Sequence, residues 1–385
     1  MKNADIVLSL LPATMHGRVA SQCLKHNTNL VTASYISDEI HEMGKLAEKQ
    51  GLIFLNEAGL DPGLDHMSAL KIIDSIQERG GHVSSFSSVC GGLPAPQSIE
   101  DANQLKYKFS WSPAGVLRAS QQDAVYRRDG VVHLIDGQDL LKEARPFEEA
   151  WPELDLEVLP NRDSLKYENI YSLQNCATIF RGTLRYQGFC MFMNVFSKMG
   201  LLSNIPVNEK TWRELLLTLA RNNGFVDLWD FLLYCSSGET DLAGQALILM
   251  NSLEITGDRR PGRGSIESAF CKVLERKLAY KTGEVDMVIM NHLITASFGD
   301  GSEEIHQSSM QLFGGPEDSA MAKSVGYTVG AAVCLVLEGN LDAFSGTLLP
   351  THKEIYNPIL SKVEQYGIHF EHTVTPSVKN ENMTG

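Results

Sequence analysis

The sequence predicts an α/β protein: an incomplete parallel sheet first, then a larger α+β portion carrying a small helical insertion. Three observations predict it. Short apolar runs alternate with helical patterns over the first sixty residues. Strand-like runs broken by turns prevail from about Val83 to Tyr186. Residues from about Gly188 to Leu253 are rich in Leu, Met and Asn at helical spacing.

The run Ile6 to Leu11 is continuously apolar and ends at Pro12, the pattern of a strand buried on both faces of a parallel sheet. Thr14 is placed to cap a following helix with Val19, Ala20, Cys23 and Leu24 on one face. Asn29 to Thr32 reads as the second strand. Ser37 offers another N-cap, with Asp38 and Glu39 in the first turn, where the helix dipole favours acids. Gly51 closes that helix, and Leu52 to Leu55 forms a third strand. This order, with short connections, is that of right-handed parallel crossovers. Residues 1–64 are therefore expected to be part of a Rossmann-like dinucleotide-binding domain.

Ligands of such sheets lie beyond the carboxyl ends of the strands. Here those ends are Leu11-Pro12-Ala13, Ala33-Ser34-Tyr35 and the turn Glu57 to Gly63, which contains Leu60-Asp61-Pro62. They are expected to face the ribose and nicotinamide of a cofactor. No G-x-G-x-x-G turn precedes them, and the chain begins where a fourth strand would, so the opening of the domain is expected to be missing. Gly257, Gly262 and Gly264 follow no strand and read as a basic surface turn, not a phosphate loop.

Asp65 is expected to cap a helix running to Arg79, ended by Gly80-Gly81. Strands are expected at Val83 to Val89, Lys106 to Trp111, Val131 to Ile135 and Ile179 to Tyr186, making 65–187 the first part of the α+β domain. Residues 188–264 form the helical subdomain. Ser265 to Lys281 reads as a helix. Asp286 to Phe298 and Glu303 to Phe313 read as strands joined by Gly299-Asp300-Gly301, so 265–325 is the second part. Gly326 to Glu338 opens a C-terminal stretch, 326–385, of helices expected to return to the first domain. The end, TPSVKNENMTG, is a polar tail.

A formal charge of −14 opposes nucleic-acid binding and non-specific attachment to anionic membranes. An acidic ligand would be held only by a few focused arginines. Seven cysteines, scattered from Cys23 to Cys334 without a CxxC pair, form neither a disulfide framework nor a zinc site. They read as small core residues of a reducing compartment. No apolar run reaches the ~18 residues of a membrane helix, and no targeting segment precedes the first strand.

Several longer motifs carry a resemblance. These are Ala4 to Gly63, Cys90-Gly91-Gly92-Leu93-Pro94-Ala95-Pro96, Lys108 to Ser112 (KFSWS), Pro160 to Ser164 (PNRDS), Arg181 to Phe189 (RGTLRYQGF) and Ser324 to Tyr327 (SVGY). In this order they resemble the saccharopine dehydrogenase (L-glutamate-forming) family over about residues 4–370. The likeness is greatest to the C-terminal part of the family's bifunctional animal members. The chain departs from the family in lacking its first three strands and glycine-rich loop. The resemblance implies a substrate and dimerisation role for the α+β domain. It implies that saccharopine, NAD and water give L-glutamate, 2-aminoadipate 6-semialdehyde and NADH, with NADP as the alternative cofactor. It further implies a mitochondrial location and a homo-oligomer of the complete enzyme. A non-catalytic fragment that pairs with the complete enzyme is the competing expectation.

Saccharopine has three carboxylates and a secondary amine. Oxidation beside the nitrogen requires a neutral amine, and hence a proton acceptor, but no metal. Arginines suit the carboxylates, because a guanidinium grips one through two parallel hydrogen bonds. Arg181, Thr183 and Arg185 share one face of a strand by the period of two. On spacing alone they read as an exposed, ion-paired strand face, since surface arginines are common. The resemblance makes Ser34, Tyr35, Ile36, Arg162, Thr183, Leu184 and Arg185 substrate-binding residues. It makes Asp61, Cys90 and Tyr35 candidates for catalysis. Glu57 is a second carboxylate that could simply hydrogen-bond its loop. His66 reads as a capping or partly exposed histidine, and Trp111 as a pocket wall or a packing residue.

Overall fold

The computed structural model describes residues 3–100 and 103–376. In chain order the first elements are β1 (Ile6–Ser9), α1 (His16–Lys25), β2 (Asn29–Thr32), α2 (Asp38–Lys49), β3 (Ile53–Leu55), α3 (Leu64–Glu78) and β4 (His82–Pro94). There follow α4 (Pro113–Ala119), β5 (Ala124–Arg128), β6 (Val131–Ile135), β7 (Arg145–Phe147), β8 (Leu156–Pro160), α5 (Tyr167–Ile170) and β9 (Thr178–Tyr186). The helical stretch is α6 (Phe189–Lys198), α7 (Trp212–Asn222), α8 (Leu228–Cys235), α9 (Thr240–Ser252) and α10 (Ile266–Lys277). The chain closes with β10 (Asp286–Ser297), β11 (Glu303–Phe313), α11 (Ala320–Leu337), β12 (Gly346–Leu348), α12 (Lys353–Glu364) and β13 (Glu371–Pro376). The remainder of the polar tail, 377–385, lies outside the described residues.

The chain forms two compact units. The first comprises Met1–Cys90, Lys166–Ile179 and Val288–Gly385. Its parallel sheet has the order β1-β2-β3-β12, with Ile6 opposite Asn29 and Leu30 opposite Phe54. The β-α-β-α-β order is as expected. The fourth strand, β12, is an addition that no local pattern announced: only three residues long, it runs parallel to β3, with Gly346 opposite Ile53. Ala20, Cys23, Leu30, Ile40, Ala47, Leu52 and Phe54 form the core between this sheet and its helices. Ser37 caps α2 by accepting from the Ile40 amide.

Three local expectations are corrected. Strand β1 is not buried on both faces: it is the sheet edge, and Leu8 is 42% exposed. Thr14 caps nothing, because Pro12 opens a 3-10 turn, Ala13–Met15, closed by the Met15 amide on the Pro12 carbonyl at 2.8 Å, and α1 starts only after it. The cap position of α3 belongs to Gly63, with Asp65 accepting from the Gly63 amide at 2.5 Å.

Helix α11 corrects a fourth. Its 18 residues are long and apolar enough to cross a membrane by length and composition. In the fold it packs on α12, β1, β2 and β11, and it carries buried Ser324 and Thr328. One face of it is buried in this unit.

The first unit's other strands lie in the order β13-β11-β10-β4. His306 on β11 and His372 on β13 meet with Nδ1 and Nε2 3.2 Å apart. Burial lowers the pKa of both. The Glu304 carboxylate opposes this at His306, whereas Arg79 adds to it; His306 and Lys71 push His372 further down. A histidine whose folded pKa lies below its unfolded value contributes stability that is lost as pH falls. We expect β13 amides to gain hydrogen exchange, corrected for intrinsic rate, as pH drops from about 6.5 toward 5. Constant protection over that range would remove the pair's role.

The second unit, Gly91–Leu165 and Phe180–Met287, holds β9-β5-β6, with β8 pairing both β7 and β9. Helices α6 to α9 fall in the stretch read as helical and α10 in the separate helix read over 265–281, with Trp212, Phe231 and Phe270 fully buried. Lys106 to Trp111 is not a strand. Lys106 has a left-handed φ of 46°, the Phe109 amide bonds the Leu278 carbonyl, and buried Lys108 reaches Glu284 at 2.8 Å. These pairings leave no ladder to form. The Gly257 to Gly264 stretch is a turn, as expected, with φ of 100° at Gly262 and 114° at Gly264.

Candidate active site

In the first unit the turns after β2 and β3 are tied together by backbone bonds. The Ala58 amide donates to Thr32 (3.1 Å) and the Glu57 amide to Ser34 (3.2 Å). Gly63 has φ 145°, and a Cβ there would fall 2.1 Å from the Gly59 carbonyl oxygen, so the loop can fold back only on glycine. This folding sets Asp61 beside Tyr35, whose hydroxyl donates to Oδ1 at 2.7 Å. Both side chains are half-buried.

Behind them lies a buried polar chain. The Ile36 amide donates to Glu57 Oε1 (3.0 Å). Glu57 Oε2 is 2.8 Å from His66 Nε2, and His66 Nδ1 is 2.6 Å from the Tyr171 hydroxyl. Exposure is 3% at Glu57, 0% at His66 and 1% at Tyr171. Burial alone would raise the Glu57 pKa. The His66 hydrogen bond and charge, the Ile36 amide and the Lys166 charge outweigh it and hold the carboxyl below its usual range. The exposed ammonium of Lys166 lies 4.6 Å from the Tyr35 ring centroid and 4.7 Å from that of Tyr167.

Ser34 is held from the other side. His16 Nε2 lies 2.9 Å from Ser34 Oγ and 3.1 Å from Thr32 Oγ1, and its Nδ1 lies 2.9 Å from Ser9 Oγ. Burial lowers the pKa of His16. Leu11, Pro12 and Ala13 are exposed and Ala33 half-buried, while Leu60 and Pro62 are buried and shape their turn. None of the described turns is a glycine-rich phosphate cradle. Cys90 is buried on β4, 8% exposed.

In the second unit, β8 and β9 pair with Leu159 opposite Thr183 and Glu157 opposite Arg185. Arg162 occupies the turn just after β8. It is exposed, with φ 54°, and its carbonyl accepts from Val125. The Asn161 amide donates to the Arg181 carbonyl, and the Arg181 amide to Ser164 Oγ, both at 2.9 Å. The Arg162 turn is thus fastened to the strand that carries Thr183, Leu184 and Arg185.

The alternative of an exposed arginine face is overturned. Arg181 is 3% exposed and Arg185 6%. The Arg185 guanidinium stacks over Tyr107 (5.1 Å) and Phe189 (5.4 Å) and donates from Nη1 to the Leu184 carbonyl at 2.8 Å. Its Nε has no hydrogen-bond partner among the described residues. Gly91 has a steric reason: a Cβ there would lie 2.9 Å from Leu184 Cβ. Trp111 is 42% exposed, its ring against Gly115.

The structure therefore groups Ser34, Tyr35, Ile36 and Asp61 in one unit, and Arg162 with Thr183, Leu184 and Arg185 in the other. His66 corrects the sequence reading, being fully buried and paired at both ring nitrogens. Tyr171, His16 and Lys166 were not singled out by the sequence. Tyr171 lies 105 residues from the histidine it meets, a distance at which spacing carries no signal. Among the described residues no cluster of three His, Cys, Asp or Glu could hold a metal ion.

Residues 59–368 match the family model described as saccharopine dehydrogenase C-terminal domain. Mouse alpha-aminoadipic semialdehyde synthase, mitochondrial, is 38% identical over 383 residues, 96% of this chain and 40% of that protein. The chain thus spans well under half the length of that relative. Saccharopine dehydrogenase [NADP(+), L-glutamate-forming] of Saccharomyces cerevisiae is 36% identical over 95% of this chain and 84% of its own length. A solved structure of apo histidine-tagged saccharopine dehydrogenase (L-Glu forming) from the same yeast superposes with a TM-score of 0.85. It shows 34% identity and covers 97% of this chain and 85% of that one.

Proposed function

The chain belongs to the saccharopine dehydrogenase family, and from that premise we propose that it carries the substrate-handling part of an oxidoreductase of lysine metabolism. The reaction is oxidation of saccharopine with a nicotinamide dinucleotide and water to L-glutamate and 2-aminoadipate 6-semialdehyde. We take NAD as the cofactor, as in the animal members the sequence resembles; NADP is the cofactor named for the yeast relative. The same resemblance underlies a mitochondrial location and a homo-oligomer of the complete enzyme.

The observation that carries this reading is the Tyr35–Asp61 hydrogen bond at the carboxyl ends of two parallel strands, where α/β sheets bind ligands. Leu11, Pro12, Ala13, Ala33 and Ser34 would hold the nicotinamide end of the dinucleotide, with Leu60 and Pro62 shaping the loop beneath it. When bound, the dinucleotide supplies the hydride acceptor. Asp61 takes the amine proton so that the nitrogen lone pair assists loss of hydride from the neighbouring carbon. Tyr35 orients Asp61 and the substrate nitrogen, together with Ser34 and the Ile36 backbone. Water then adds to the resulting C=N bond, and the proton returned to nitrogen lets the C–N bond break to release glutamate. Cys90 serves as an auxiliary proton-exchanging group. Arg162, Thr183, Leu184 and Arg185 bind the substrate's carboxylates.

The test is saccharopine-dependent reduction of NAD and of NADP by the purified protein, with glutamate measured as product. Reduction of neither would overturn the reading. The second reading, a non-catalytic chain that pairs with the complete enzyme, is favoured by the β1 edge, where Leu8, Leu10 and Leu11 are 42–60% exposed. It calls for co-purification with that enzyme and no turnover alone.

A further inference from the structure

We propose that Glu57, His66 and Tyr171 are positioning residues, a buried chain that fixes the Ser34-Tyr35-Ile36 turn so that the Tyr35 phenol meets Asp61. The proposal rests on the functional reading above and concerns residues that touch no reacting atom. Glu57 adopts a left-handed φ of 56°, which side-chain-bearing residues rarely take. That conformation lets one carboxylate reach two partners. One oxygen accepts from the Ile36 amide, immediately after Tyr35, and the other from His66.

His66 is in turn anchored to the unit's core. Its Nδ1 meets the Tyr171 hydroxyl, and the Tyr171 ring stands edge-on to Phe86, buried on β4, with centroids 5.5 Å apart. His66 presents Nε2 to the Glu57 carboxylate and Nδ1 to the Tyr171 hydroxyl. With both ring nitrogens engaged and no exposure, His66 has no route to substrate. Its role is to orient Glu57, and through Glu57 the turn. Replacing the chain with apolar packing would still fill the volume. It would leave the Ile36 amide unanswered and the turn free to shift, and a displacement of about 1 Å can cost about a hundredfold in rate.

The experiment compares kcat, KM and the pH profile of saccharopine oxidation in four variants of the full-length protein, each checked for folding. Glu57→Ala should lower kcat at least ~30-fold with KM changed less than ~3-fold. Glu57→Gln keeps an oxygen for the Ile36 amide and donates its amide N–H to Nε2 of an unmoved His66 ring, whose Nδ1–H donates to Tyr171. It should stay within ~3-fold of the parent with an unmoved pH profile. Tyr171→Phe removes one oxygen from the chain without emptying its volume and should cost ~5–10-fold in kcat. It decides the matter if Glu57→Ala fails to fold. Wild-type kcat in folded Glu57→Ala or Tyr171→Phe, alongside an impaired Tyr35→Phe, overturns the positioning role and spares the functional reading. A Gln variant as poor as Ala, with a shifted pH profile, overturns it in favour of a role for the charge. Wild-type turnover in Tyr35→Phe overturns the Tyr35–Asp61 assignment and the positioning role with it, while the saccharopine activity itself stands.

Discussion

Asp61→Asn is expected to lower kcat for saccharopine oxidation by about 10²–10⁴, the usual contribution of a positioned acid–base group. The substitution is close to isosteric and keeps an oxygen for the Tyr35 hydroxyl, which now lies 2.7 Å from the carboxylate. What it removes is the capacity to take the amine's proton. Loss of kcat with little change in melting temperature is therefore the diagnostic pattern. Because the amine must be neutral for hydride to leave, raising the pH should recover part of the variant's loss by deprotonating the amine in solution. The measurement is a pH profile of kcat/KM for parent and variant. Equal profiles and equal rates would remove Asp61 from the chemistry and leave it a turn residue.

Arg185→Lys is expected to lower kcat/KM for saccharopine by about 10²–10³, the scale of truncating one partner of a buried charged pair. The charge is kept, but the planar fork that matches a carboxylate is lost. Arg185 is suited to that task by its surroundings: the adjacent rings of Tyr107 and Phe189 both lie against the guanidinium, and one bond to the Leu184 carbonyl orients it. Its Nε lacks a partner among the described residues, an expensive condition for a buried donor unless something else meets it. A ligand carboxylate would. Lys is the informative replacement, because Ala would also leave Glu157, buried directly across the β8–β9 pair, without a facing cation. Calorimetric titration of saccharopine should show the weakened affinity. Unchanged affinity in a folded Lys variant would make Arg185 a packing residue.

Much of the first unit was legible because its signals are local. Ser37 announces the start of α2, Gly51 its end, and the apolar runs at Asn29 and Leu52 the strands on either side. Where local pattern misled, a nonlocal contact had intervened. Lys106 to Trp111 alternates like a strand, yet its groups are claimed by Leu278 and Glu284, far along the chain. The apolar run at Ile6 looks buried on both faces, but β1 has a single strand neighbour in this sheet.

The sequence by itself determined the family and the parallel β-α-β order of the first unit. Motif identity and the periods of strands and helices are properties of neighbouring residues, and no fold is needed to read them. Only the tertiary structure decided which of those residues are buried and what each one meets. It turned an apparent capping histidine into the centre of the Glu57–His66–Tyr171 chain and drew Arg181 and Arg185 out of solvent. Burial and hydrogen bonding at such positions depend on segments brought together across tens to hundreds of residues, where the chain's entropy erases any local trace of the partner.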